Sequence, residues 1–142
     1  MLKARRIRRH VTSEQEIEDL RAVVSRDLRD ARVAELSADR RFATAYNAVL
    51  QLAKMVLACS GYRAAGPGHH ETTLEALEIA MGSGVADTAV YFDVCRRKRH
   101  QLDYDFADAA TATEAEELIE KAEEFRELVE EWIRRRCPQL AR

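Results

Sequence analysis

The stretch FATAYNAVLQLAKMVLAC, residues 42–59, decides the fold. Apolar residues recur in it at intervals of three and four and cover more than half the circumference of a helix. Ser37 precedes it as a helix N-cap and Gly61 follows it as a stop, which predicts a helix over residues 38–60. A helix that is apolar on most of its surface has to be covered on several sides. The sequence therefore predicts a central helix with others packed around it.

The same period predicts four more helices around the central one. Their expected ranges are residues 14–34, 71–82, 86–103 and 113 to the residue before Pro138. Two capping boxes mark helix starts, Ser13 with Glu16 and Thr113 with Glu116. The stretch GYRAAGPGHH, residues 61–70, is rich in Gly and Pro and is expected to be a loop. Short connections between long amphipathic helices favour an all-α, antiparallel up-and-down bundle of about five helices.

Length and composition restrict the class of protein. A chain of 142 residues without repeats or compositional breaks predicts one domain, residues 1–142, in which residues 1–12 form a basic tail that we expect to be flexible. The longest apolar candidate, residues 48–59, contains Gln51 and Lys54, so no membrane span is expected. The basic N-terminus has no apolar segment after it, which indicates a cytoplasmic protein without a secretory signal. The three cysteines, widely spaced, predict neither a disulfide framework nor a zinc ribbon: Cys59, Cys95 and Cys137.

The formal net charge of −2 conceals an uneven distribution of charge. Residues 1–10 carry five Lys or Arg side chains and no acid, and residues 96–99 are four consecutive cations. Residues 114–131 carry nine Glu against Lys121 and Arg126. Four consecutive cations on one helix repel each other and cannot all point away from the bundle. The run at 96–99 is therefore a candidate surface for an anion, such as phosphate, RNA or the acidic helix of another subunit.

The segment RRKRHQLDYD, residues 96–105, holds the best candidates for chemistry. On a continuous helix Arg96, His100 and Tyr104 form one stripe, and Arg99 and Asp103 form a neighbouring i,i+4 pair. A cation, an imidazole and a phenol are the groups that metal-independent cleavage of a phosphodiester needs. The alternative interpretation is a helix end, where arginines cap the last carbonyl groups and Tyr104 packs on the bundle rim.

Three segments of the chain together resemble the HEPN superfamily of small helical bundles: LRDARVAELSADRRFATAYNAVLQLAKMVLACSGYR (28–63), GHH (68–70) and YFDVCRRKRHQLDYD (91–105). The resemblance implies a HEPN-like fold, a homodimer and a ligand that is RNA or a nucleotide. Some similar proteins are ribonuclease toxins encoded beside a nucleotidyltransferase-type antitoxin. Their composite site combines, from two protomers, an Arg and a His four to six residues beyond it. In this sequence Arg99 corresponds to that Arg, His100 to the polar residue after it, and Tyr104 stands at the position of the His.

Four further residues are candidates for the same site. Arg63, followed after five residues by His69 and His70, repeats the Arg–His spacing outside the family's motif position. Either that spacing is a coincidence, or the three residues line a pocket with Arg99 at one end of the bundle. Asn47 interrupts the apolar central helix, where it would form an interhelical hydrogen bond or orient Arg99. No metal or other cofactor is expected, because adjacent histidines rarely bind one ion and no carboxylate stands at ligand spacing.

Two functions fit these patterns. The first is binding of RNA or a nucleotide, with metal-independent RNA cleavage as the toxin of a toxin–antitoxin pair; Arg99 would stabilise the phosphate and His100 or Tyr104 would transfer protons. The second is a non-catalytic module that docks a nucleotidyltransferase-type partner through the same basic surface. A third, weaker one is a dimeric scaffold in which the basic run pairs with the Glu-rich helix. Tyr104, where cleaving relatives have His, leaves catalytic activity open.

Overall fold

The structure, a computed structural model, describes residues 6–104 and 109–142, and the side chains of Asp103 and Tyr104 lie outside that description. Five α-helices form an antiparallel bundle, which confirms the predicted fold class. They are α1 (Glu14–Ala31), α2 (Ala38–Cys59), α3 (His69–Met81), α4 (Ala86–Tyr104) and α5 (Ala112–Arg136). Two short strands, β1 (Ile7–Arg9) and β2 (Tyr62–Ala64), pair as an antiparallel ribbon.

Helix α2 is the central element, as its sequence predicts. It packs against all four other helices. Its large side chains are almost completely buried, with Tyr46 and Leu52 each 1% exposed and Met55 0% exposed. By length and composition alone α2 could cross a membrane, but 67% of its most apolar window is buried inside the bundle. The apolar character of α2 is thus explained by its place in the protein core.

The core also joins α4 to α5 through aromatic side chains. Phe92 and Phe125 pack edge to face with ring centroids 5.1 Å apart. The 3.6-residue period predicts that the buried side of α4 carries Val90, Tyr91, Val94, Cys95 and Leu102, and this prediction is wrong for Val90 and Val94. Val90 is 65% exposed and Val94 is 51% exposed, whereas Phe92 is fully buried. The buried face of α4 is therefore rotated relative to the predicted one.

Helix starts depend on side-chain caps that differ in detail from those predicted. The Ser13 hydroxyl accepts from the Glu16 amide at 3.1 Å, but the Glu16 carboxylate turns to His10 and Thr12 instead of completing a capping box. The box of α5 is formed by Thr111 with Glu114, two residues before the predicted pair. Both Thr111 and Thr113 are followed by Glu three residues later, so the sequence alone favours neither.

Residues 61–70 are not the simple loop that their Gly and Pro content predicts. They contain β2 and the first two residues of α3, separated by Gly66 and Gly68 with positive φ angles of 78° and 75°. The partner of β2 is β1, which lies within the basic segment predicted as a tail. Helix α1 also ends earlier than expected, at Ala31 instead of residue 34. These differences place the ribbon at the end of the bundle where α1 begins and α2 ends.

Candidate functional site

The basic run of α4 divides between two sides of the helix. Arg96 donates to Asp93 Oδ1 at 2.8 Å and lies 3.8 Å from Glu71 of α3. Arg97 donates to the other oxygen of Asp93 at 3.0 Å, with its side chain 65% exposed. Asp93 therefore bridges the two guanidinium groups. Arg96 in addition links α4 to α3 through Glu71.

Lys98 turns the opposite way, toward the acidic helix α5. Its Nζ donates to the Ala109 carbonyl at 3.0 Å and lies 3.3 Å from Glu114. One cation of the basic run, Lys98, thus pairs with the Glu-rich α5 inside a single chain. This contact belongs to the bundle and holds the start of α5 against α4.

His70 occupies the first turn of α3 and packs against two other rings. Its ring centroid is 4.5 Å from that of His69, in an edge-on arrangement, and 6.1 Å from that of Tyr46 on α2. The left-handed Gly68 ends the preceding loop and directs the chain into α3, so both histidines are fixed by helix geometry. The half-buried imidazole of His70 consequently lies between α2, α3 and α4.

Cations from two helices act electrostatically on the His70 imidazole. Burial and, to a smaller extent, the positive charges of His69, Lys54, Arg99 and Arg96 together lower the pKa of His70 to about 4. Lys54 comes from α2, and the two arginines come from α4. At neutral pH the imidazole is uncharged, so it adds no positive charge to that of Lys54, Arg96 and Arg99.

The Tyr46 hydroxyl belongs to the ring that packs beside His70. It is buried and has no hydrogen-bond partner within residues 6–104 and 109–142. Burial raises the pKa of Tyr46 above its ordinary value, while the positive charges of Arg96 and Arg99 act against that rise. Both arginines therefore face the same buried phenol. We call the six residues of this region the His70 cluster: Tyr46, Lys54, His69, His70, Arg96 and Arg99.

One family model matches this chain: SAV_6107-like HEPN, over residues 31–130. The match spans α2, α3, α4 and most of α5, including the entire His70 cluster. The chain belongs to the HEPN superfamily. No curated protein and no solved structure matches it.

The family's motif position lies at the end of α4, where the structure describes part of the motif. Arg99 belongs to the His70 cluster, whereas His100 is exposed. The side chains of Asp103 and Tyr104, which the sequence places in the same site, lie outside the described part of the chain. Four of the nine predicted site residues therefore meet in the cluster: Arg96, Arg99, His69 and His70.

Asn47 and Arg63 lie elsewhere in this HEPN bundle. Asn47 donates to Asp27 of α1 at 2.6 Å, and Gln51 donates to the Asn47 oxygen at 3.2 Å, so it forms the interhelical hydrogen bond that was one of its two predicted roles. Arg63 is in β2 and lines a pocket of about 180 Å³ together with Lys54. Lys54 thus connects that pocket to the His70 cluster.

Sequence reasoning did not identify Tyr46 and Lys54 as members of the site. A signal for Lys54 was present, since it is the only charged residue between Phe42 and Cys59. Tyr46 and Lys54 lie eight residues apart, which places both on one face of α2. In the described residues no three His, Cys, Asp or Glu side chains are grouped to hold a metal ion. The His70 cluster instead consists of cationic and aromatic side chains.

Proposed function

We propose that this HEPN protein binds a phosphate group of RNA or of a nucleotide at the His70 cluster. The observation that supports this most is that the positive charges of Lys54, Arg96 and Arg99, from two helices, all act on one half-buried imidazole. Lys54, Arg96 and Arg99 give this partly buried region a positive potential, which Asp93 and Glu71 offset in part at Arg96, and a positive potential attracts an anion. Arginine binds phosphate oxygens through paired N–H groups, which makes it the best suited side chain for this ligand.

The arrangement supports binding more directly than cleavage. Among the described residues of the cluster, His70 is the one placed to exchange protons with a ligand phosphate or an adjacent hydroxyl, and Arg96 and Arg99 are placed to stabilise developing charge. An imidazole with a pKa of about 4 is a weak general base at neutral pH. We therefore propose slow metal-independent RNA cleavage, the activity of a toxin, as a secondary property of a binding site.

Arg99→Ala is the substitution that tests the proposal. We expect it to weaken binding of a labelled 12-nucleotide RNA by about 10- to 100-fold, because it removes a charge-assisted contact to phosphate. Fluorescence anisotropy in the presence of EDTA measures the dissociation constant, and a gel of the same samples measures cleavage. If the unsubstituted protein cleaves no more RNA than the Arg99→Ala variant does, the enzyme hypothesis is wrong while binding can still stand.

Arg97→Ala is the matched control for Arg99→Ala. Arg97 lies two residues away on the same helix but is held by Asp93 outside the His70 cluster. The control is expected to change RNA affinity less than twofold, since exposed ion pairs contribute little. Equal losses for the two variants would contradict a localised site and would indicate general attraction to a basic surface.

An exposed apolar face on α3 and α4 is a candidate surface for self-association. Ile79 of α3 and Val90 and Val94 of α4 are 57%, 65% and 51% exposed. Beside them α3 and α4 form a groove of about 350 Å³ that is apolar at Leu74 and Val90 and charged on its other side, at Glu75, Glu78, Asp93 and Arg97. We propose that a second copy of the chain covers this face in a homodimer, because that contact would remove these exposed apolar side chains from water. The alternative function is a non-catalytic module that docks a nucleotidyltransferase-type partner through the basic surface. It becomes the better hypothesis if Arg99→Ala leaves RNA binding unchanged.

A further inference from the structure

The β1–β2 ribbon places like charges directly opposite each other. Arg8 pairs with Arg63 and Arg9 pairs with Tyr62 in the antiparallel register. Like charges at opposite positions of a strand pair destabilise it. Within residues 6–104 and 109–142, none of these three arginines has a carboxylate at ion-pair distance. The ribbon therefore carries a concentrated positive charge at an energetic cost.

The neighbouring Arg6 shows that acidic partners are close by but do not reach the ribbon arginines. Arg6 lies 3.8 Å from Glu71 and 3.6 Å from Glu75, both on α3. Arg8, Arg9 and Arg63 are all exposed. An anion from outside the chain is the simplest way to offset their charge.

An aromatic side chain and a pocket accompany the arginines. Tyr62 is 39% exposed and lines, with Arg63 and Lys54, the pocket of about 180 Å³. Lys54 also acts electrostatically on His70, so this one cation belongs both to the pocket and to the His70 cluster. Surfaces that bind single-stranded nucleic acid typically combine cations, which contact the phosphate backbone, with an aromatic ring that stacks on a base.

We infer that the β1–β2 ribbon is a second RNA-binding surface. It binds the phosphates of single-stranded RNA next to the nucleotide held at the His70 cluster, with Tyr62 stacking on a base. Arg8 and Arg63 contact successive phosphates, and Lys54 lies between the two surfaces. This inference rests on the proposed function, because it assigns the ribbon to the same RNA.

The test compares two double variants with two ligands of different length. Arg8→Gln with Arg63→Gln removes the opposed pair on the ribbon. Arg29→Gln with Arg40→Gln removes two exposed arginines at the other end of the bundle, where α1 ends and α2 begins. The ligands are a labelled 12-nucleotide single-stranded RNA, long enough to span both surfaces, and adenosine 5′-monophosphate, which reaches only the His70 cluster.

The ribbon variant is expected to bind the 12-nucleotide RNA about tenfold more weakly, with a salt dependence of log K less steep by about 1.4, because each phosphate contact to a single strand contributes about 0.7. Its affinity for the mononucleotide should stay within twofold of that of the unsubstituted protein. Its melting temperature should be unchanged or higher, since a repulsion is removed. The Arg29/Arg40 variant should bind both ligands normally.

Two results would overturn the inference. If the ribbon variant and the Arg29/Arg40 variant bind the 12-nucleotide RNA equally well, the ribbon makes no specific contact, and the proposed function stands without it. If the unsubstituted protein binds neither ligand, the proposed function fails and the ribbon inference fails with it. The second surface is supported if the ribbon variant binds the 12-nucleotide RNA more weakly but binds adenosine 5′-monophosphate normally.

Discussion

Arg21→Ala is expected to destabilise the protein by about 3–5 kcal/mol, because it leaves a carboxylate buried without its partner. Arg21 of α1 and Glu130 of α5 are 9% and 8% exposed. Their side chains form a two-pronged pair, with distances of 2.7 and 2.9 Å to the two carboxylate oxygens. Arg21 also donates to the Leu140 carbonyl at 2.7 Å. One side chain therefore joins α1, α5 and the C-terminal turn.

Urea unfolding at pH 7.5 measures this loss, and two further variants make it specific. Arg29→Ala, on the exposed side of α1, is expected to cost less than about 0.5 kcal/mol. Arg21→Met combined with Glu130→Leu should recover most of the stability, because apolar residues of similar volume often replace a buried ion pair without loss. A loss below about 1 kcal/mol for Arg21→Ala would show that water reaches Glu130.

The second large effect is a loss of stability in acid that depends on His70. Its pKa in the folded protein is about 4, mainly through burial, against an ordinary value of 6.5. Because the folded state binds this proton less tightly than the unfolded state, protonation favours unfolding. Stability is therefore lost as pH falls below 6.5, and the loss levels off near pH 4. We expect about 2 kcal/mol from this group after allowing for partial exposure to solvent.

His70→Gln separates this contribution from that of other titrating groups. Glu16, whose pKa is lowered mainly by the Thr12 hydroxyl, also makes the protein less stable in acid, but it does so in both proteins. The difference in unfolding free energy between the unsubstituted protein and His70→Gln should thus change by about 2 kcal/mol between pH 7.5 and pH 4. A constant difference across that range would mean that the folded structure does not lower the pKa of His70.

The helical part of the fold was predictable from local patterns. The 3.6-residue period located all five helices, and the nearly continuous apolar surface of residues 42–59 identified the central one. The ribbon was not predictable, because strands of three residues in a basic segment and in a Gly-rich segment show no alternation. The exposed Val90 and Val94 were misplaced for another reason. Periodicity gives the apolar face of a helix but does not show whether a neighbour covers it.

The candidate site was only partly predictable, because its members come from three helices. The basic run on α4 drew attention to Arg96 and Arg99, and the GHH segment to His69 and His70. Their meeting with Lys54 and Tyr46 depends on how α2, α3 and α4 pack, which a single sequence does not specify. Local spacing also suggested Arg63 as a partner of the histidines, whereas β2 carries it to the ribbon.

The most direct test of phosphate binding at the His70 cluster is an NMR titration of the His70 imidazole, with and without saturating adenosine 5′-monophosphate. His70→Gln identifies the resonance. The free protein should show a pKa of about 4. Bound phosphate should raise that pKa toward 6.5, because a negative charge beside the ring favours the imidazolium form. A nucleotide that binds but leaves the His70 pKa near 4, or no binding at all, would contradict phosphate binding at this cluster.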